Sequence, residues 1–121
     1  MPLDIKGIDH VQIAVPGAVE PECLAFYREV MGLTEIAKPE ELKRRGGAWF
    51  QLPNLQMHVG VDRENSANSK RHICFLVADL AAARAVVQAN GVAIEEESDT
   101  EGLQRFFIRD PAGNRIEIGQ R

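Results

Sequence analysis

Three histidines, at positions 10, 58 and 72, are the only imidazoles in this 121-residue chain. Each lies where apolar and polar residues alternate, and each falls on the side opposite the apolar stripe. Val11, Ile13 and Val15 share one face of 8–15, with His10, Gln12 and Ala14 on the other. Leu55, Met57, Val59 and Val61 oppose Gln56, His58 and Gly60, and His72 shares a side with Cys74 and Leu76. Glu117 occupies the same kind of position in 115–119. Imidazole nitrogens with a carboxylate oxygen are the donor set of a divalent-metal site suited to Ni, Zn, Co, Fe or Mn. Such an ion can accept two oxygens of a small substrate, a hydroxy-carbonyl or a catechol. It would polarise the carbonyl and stabilise the enediolate formed when the neighbouring carbon loses a proton. Glu117, a ligand able to leave the metal, is the first candidate for the base, and His58 the second.

Residues near these positions suggest how a substrate would be held. Trp49, Phe50 and Phe107 offer an apolar wall, although aromatics in strands commonly pack cores. Arg105 and Arg109 alternate with Phe107 and offer a hold on an anionic tail, although strand arginines are commonly solvated. Lys43-Arg44-Arg45 reads as part of a solvated loop, with capture of an acidic substrate such as a thiol peptide or acyl-CoA as the alternative.

The elements that position these residues come twice. Strand, helix, strand, strand, strand is expected over 8–15, 22–31, 33–37, 48–52 and 55–61. The same order follows over 72–77, 80–90, 92–96, 103–109 and 115–119. Gly32 and Gly91 sit where helix C′ residues belong, and Asp79 where an N-cap belongs. Segment 38–47 reads as a loop, and Asp110-Pro111-Ala112-Gly113-Asn114 as a turn. His10 precedes His72 by 62 positions, whereas Gly32 precedes Gly91, and His58 precedes Glu117, by 59. One insertion of three between the first strand and its helix accounts for the difference. The halves are therefore read as a single domain, 1–121, with module 1 at about 5–62, a linker at about 63–70 and module 2 at about 71–120. Halves related by a pseudo-two-fold would bring His10, His58, His72 and Glu117 together.

Composition excludes whole classes. The formal charge of −4 and 6% aromatic content argue against nucleic acid. No apolar run approaches a membrane span, and the first ten residues lack the core of a secretory signal. Two cysteines without CxxC spacing favour a reducing, cytoplasmic setting. Each half of about 55 residues is too small to cover its own sheet, so modules must pair, within one chain or across a homodimer.

IDHVQIAV at 8–15, AFYREVMGL at 25–33, RHICFLVADL at 71–80 and RDPAGNRIEI at 109–118 resemble the vicinal oxygen chelate superfamily. That group contains glyoxalase I, the fosfomycin- and bleomycin-resistance proteins and the extradiol dioxygenases. The resemblance spans nearly the whole chain, and FYxxxxGL with DPxGNxIE is specific as a pair. It implies an α+β fold of two tandem βαβββ modules forming a curled mixed sheet, a cup, around a metal. The ligand positions correspond to His10, His58, His72 and Glu117, and the site commonly lies between the subunits of a dimer. Glyoxalase I-like members usually carry Glu or Gln at the position of His58. An imidazole there leaves Glu117 the only anionic ligand and the ion a stronger Lewis acid. His10, His72 and Glu117 could instead hold the iron of an extradiol dioxygenase, but no histidine remains as a further acid–base group. Segment 96–107 is acidic and carries Phe107, unlike the Lys, Ser and Tyr set that holds phosphonate in fosfomycin-resistance enzymes. The expectation is a metal-dependent lyase or isomerase of the glyoxalase type acting on a small molecule. The alternatives are an Fe(II) ring-cleaving dioxygenase and a metal-free drug-binding protein.

Overall fold

The computed structural model describes residues 1–64 and 67–121. In the first half, strand β1 (His10–Val15) leads through a 3-10 turn (Gly17–Val19) into helix α1 (Glu20–Ala25). The helix continues as a wider π turn over Phe26–Val30, and β2 (Thr34–Ile36), β3 (Ala48–Gln51) and β4 (Gln56–Val61) follow. In the second half, β5 (His72–Leu76) and α2 (Leu80–Ala89) precede β6 (Glu95–Glu96), β7 (Gln104–Arg109) and β8 (Arg115–Gln120). The sheets run β1-β4-β3-β2 and β5-β8-β7-β6. In both, the outer strand that leads into the helix is parallel to its neighbour and the rest are antiparallel. This is the expected α+β architecture, two βαβββ units with open mixed sheets.

Local chemistry accounts for the elements. Asp79 caps α2 by accepting from the Ala82 amide, and Gly32 and Gly91 leave their helices at φ +67° and +71°, conformations that cost glycine little. Segment 38–47 departs from the expected loop, since Glu40–Arg45 coils into 3-10 turns. The first helix begins two residues early, at Glu20, because the proline that follows it is tolerated in a first turn. In the expected linker, 65 and 66 lie outside the described residues, and the rest of 63–70 carries neither helix nor strand. Among the described residues no helix is long and apolar enough to cross a membrane.

The register refines the repeat. Gln12 pairs with His58 and Cys74 with Glu117, the 62 and 59 offsets in one contact. Trp49 pairs with His58 and Phe107 with Glu117, so the third strands are offset by 58 instead. The turn before β8 is one residue longer than that before β4, and a single insertion does not explain the whole alignment.

One core joins the halves. Phe26, Tyr27, Phe50, Met57 and Val59 belong to the same buried cluster as Val87, Phe106, Ile108, Ile116 and Ile118. Asp110, only 4% exposed, ties the halves polarly. The Tyr27 hydroxyl donates to its Oδ2 at 2.7 Å. The amides of Ala112 and Asn114 donate to Oδ1, each at 2.9 Å. Asn114 Nδ2 bridges Oδ2 and the Ala14 carbonyl, both at 2.9 Å. Removing one donor to a buried carboxylate costs about 1–3 kcal/mol. Tyr27→Phe is therefore expected to lower stability by about that much, seen as a lower urea midpoint at unchanged slope. A loss below about 0.5 kcal/mol, the scale of an ordinary surface change, would show that the bond contributes nothing.

Candidate functional site

Alternation puts the candidate ligands on the sheet faces turned away from the helices. On the first sheet, His10, His58 and Trp49 form one column. The His10 and His58 rings stack with centroids 4.3 Å apart, and the Trp49 indole lies on His58 at 3.9 Å and 1°. His10 Nδ1 meets Asp9 Oδ2 at 2.8 Å, and His58 Nε2 meets Gln56 Oε1 at 3.0 Å. Both partners accept, so each places a hydrogen on the facing nitrogen and leaves the other as a lone pair. His58 is 5% exposed, and burial, with His10 beside it as the next cause, holds its pKa below the ordinary 6.5.

On the second sheet, His72 Nε2 lies 2.8 Å from Glu117 Oε1. His72 Nδ1 lies 2.9 Å from the Lys70 carbonyl, which only accepts, so Nδ1 carries the hydrogen. Nε2 then presents a lone pair to a carboxylate oxygen, and two acceptors at this distance need a cation, proton or metal, between them. Glu117 is 4% exposed, and its Oε2 faces Arg105 Nη1 at 3.3 Å. Among the described residues the buried polar side chains are His58, Asp110 and Glu117. The first and last occupy equivalent positions of the two sheets.

The structure thus gathers the four residues as two pairs, His10 with His58 and His72 with Glu117. Among the described residues, no three His, Cys, Asp or Glu side chains form a metal-binding group. A cavity of about 440 Å³ opens over the first pair, and one of about 290 Å³ borders His72, Arg71 and Asn114; Gln12 lines both.

The expected substrate residues divide by strand parity. Trp49 lies on the His58 face and Phe107 on the Glu117 face, its ring centroid 5.2 Å from that of His72 and nearly perpendicular to it. Phe50, next to Trp49, faces the other way, fully buried beside Tyr27. Adjacent strand residues cannot share a face, so Phe50 is a core residue and not part of the wall. Arg105 spans Glu117 and the Ser98 carbonyl. Arg109 is committed to Glu95, the Ala67 carbonyl and the Gly113 carbonyl, where it braces the turn before β8.

Three residues were not foreseen. Arg115 places its guanidinium 3.7 Å from the Phe107 ring centroid, and its place two residues before Glu117 was the available signal. Lys38 and Gln12 line the cavity over His10 and His58; Gln12 was visible in the alternation, whereas nothing local marked Lys38. Cys23 is inert, its thiol pushed up to about 12 by burial and then by the charge of Asp110.

The model of the Glyoxalase/Bleomycin resistance protein/Dioxygenase superfamily matches residues 7–118. A solved glyoxalase family protein from Bacillus anthracis is 39% identical, covers 100% of this chain and 99% of its own, and superposes with a TM-score of 0.90. Lactoylglutathione lyase from Agrobacterium tumefaciens shares the fold at 22% identity and TM-score 0.73, over 98% of this chain and 96% of its own. The Arabidopsis thaliana protein Glyoxylase I 4 is 26% identical over 97% of this chain and 72% of its own length.

The His58 environment sets a pH response. Native His58 stays neutral at pH values where the unfolded imidazole, near 6.5, takes up a proton. Unfolding therefore binds a proton there, and stability falls as pH drops below about 6.5. In metal-free protein the urea midpoint is expected to fall between about pH 6.5 and 5, and His58→Gln to flatten that slope. An identical slope in the variant would show that His58 does not carry it.

Proposed function

Because this chain belongs to the Glyoxalase/Bleomycin resistance protein/Dioxygenase superfamily, we propose that it is a divalent-metal-dependent lyase or isomerase of the glyoxalase type. Its substrate is a small molecule that chelates the ion through two oxygens. The observation that carries this reading is the matched burial of His58 and Glu117, each beside a histidine on the opened face of its sheet. Donor chemistry fits the ion. His10 and His72 are each fixed through Nδ1 with Nε2 left as donor, the arrangement that orients metal-bound imidazoles. The low pKa of His58 keeps it in the neutral form a ligand needs. His10, His58, His72 and Glu117 would hold the ion.

The ion would supply Lewis acidity toward the substrate oxygens. Glu117 would take the proton from the neighbouring carbon on a carboxylate oxygen and return it. Arg105, whose Nη1 donates to Oε2 at 3.3 Å, would hold that carboxylate in place. Trp49 and Phe107 would exclude water at their respective faces, and His58 is the second candidate for proton transfer.

A homodimer completes this reading, one chain's His10–His58 face meeting the partner's His72–Glu117 face. Two features support it. The ligands form pairs within one chain, and Leu76, on the His72 side of β5, stays 64% exposed. The N-terminal stretch exposes Met1, Leu3, Ile5 and Ile8 as well.

Elemental analysis of protein purified without added metal is expected to return one divalent ion per chain. Glu117→Gln should lower that content strongly, and unchanged stoichiometry in a His10→Ala, His72→Ala double variant would overturn the site. For His58→Ala, a loss well beyond the roughly 10–100-fold typical of outer supporting groups supports direct ligation, and no loss rejects it. Size measurement at micromolar concentration should exceed the 13.4 kDa of one chain; a stable monomer would remove the dimer. Oxygen uptake on catechols would favour the dioxygenase instead.

A further inference from the structure

The cavity over His10 and His58 has an uneven lining. Lys38, Leu42 and Arg45 come from the segment around the 3-10 turns, Trp49 from β3, and among the described residues no carboxylate lines it. This contrasts with a chain of net charge −4. The neighbouring groups explain why the wall stands there. The Lys38 ammonium donates to the Gly46 carbonyl, and the Gly47 amide donates to the Glu20 carboxylate. Gly47 has φ +79°, and a Cβ on it would meet the Val59 carbonyl oxygen at 2.0 Å, so the wall presses backbone against β4. Of the acidic side chains near the wall, Glu20 is held by that amide, Glu40 by Lys43 at 2.7 Å and Asp9 by His10 at 2.8 Å. Arg45 is exposed and makes no ion pair among the described residues. Two cations on a cavity of about 440 Å³, a volume suited to a small molecule, together with an indole and a leucine describe a complementary ligand.

We propose that this cavity takes a substrate bearing an oxyanion, a carboxylate or a phosphate, held by Arg45 and Lys38, with its apolar body against Trp49 and Leu42. Arg45 and Lys38 are then specificity-determining residues, and the charged run at 43–45 is in part a binding wall. Arg45 offers the planar fork that matches either oxyanion, and Lys38 a point charge. The inference rests on the reading of the His10–His58 face as a substrate face, but anion selectivity needs no ion in place.

The chain's single tryptophan is Trp49, so its emission reports on this cavity directly. Protein stripped with a chelator is titrated with benzoate, phenyl phosphate and the neutral benzamide. Both anions are expected to give saturable changes in emission, about 10-fold tighter than benzamide, as a charge-assisted contact implies. Arg45→Gln should weaken the anions about 10-fold and leave benzamide unchanged; Lys38→Met should act in the same direction. Arg44→Gln, beside the wall but not lining it, should behave as the parent. Benzamide binding as tightly as the anions, no response to either anion, or Arg44→Gln matching Arg45→Gln would each overturn the proposal. A preference between benzoate and phenyl phosphate identifies the oxyanion. Metal affinity of Arg45→Gln, expected to equal the parent's, separates this result from the metal reading. Anion selectivity with no metal bound would uphold the cavity and sink the lyase; metal binding without anion selectivity would do the reverse.

Discussion

The buried carboxylate of Asp110 is the contact on which the arrangement of both halves depends. A carboxylate this far from water is strongly unfavourable unless its lone pairs are filled, and here four donors fill them. They come from the π turn after α1 and from the turn between β7 and β8. Asn114 adds the Ala14 carbonyl and so reaches β1. One side chain thereby fixes the helix of the first half, the last turn of the second, and the seam between β1 and the β7–β8 turn. The motifs FYxxxxGL and DPxGNxIE are 83 residues apart at Tyr27 and Asp110 yet meet in this single bond. Burial and the charge of Asp110 both push the Tyr27 hydroxyl up, so it stays a donor at any ordinary pH.

With that seam set, the chemistry follows from strand geometry. Each sheet spends one face on its helix and the common core, and the other carries the polar alternation. The inner positions of those polar faces, His58 and Glu117, are covered by their neighbours: rings above and below His58, and Arg105, His72 and Phe107 around Glu117. Duplication thus produces two faces of the same design but different charge. The first is lined by imidazoles and cations; the second centres on a carboxylate under arginines, with Arg115 over Phe107.

Much of this was legible in the chain. Period-two alternation named the faces of β1, β4, β5 and β8, because a strand's side chains must alternate whatever surrounds it. Glycine at the helix ends and Asp-Pro at the last turn marked boundaries through backbone preferences that act within a few residues. The repeat followed from equal offsets, and with it the equivalence of His58 and Glu117 that the register displays.

What the chain could not show were matters of distance. That Phe50 joins the core and Trp49 the open face depends on which side of β3 the helix covers. That Arg109 braces a turn depends on Ala67 and Glu95, far away in sequence. That 38–47 folds into a wall depends on Glu20 and the backbone of β4. Above all, His10 and His72, like His58 and Glu117, are equivalent in sequence, yet in space His10 pairs with His58 and His72 with Glu117. Alternation and capping are settled by covalent geometry and near neighbours, so sequence alone determined them. Which faces meet is settled by packing between elements dozens of residues apart, and only the tertiary structure decides that.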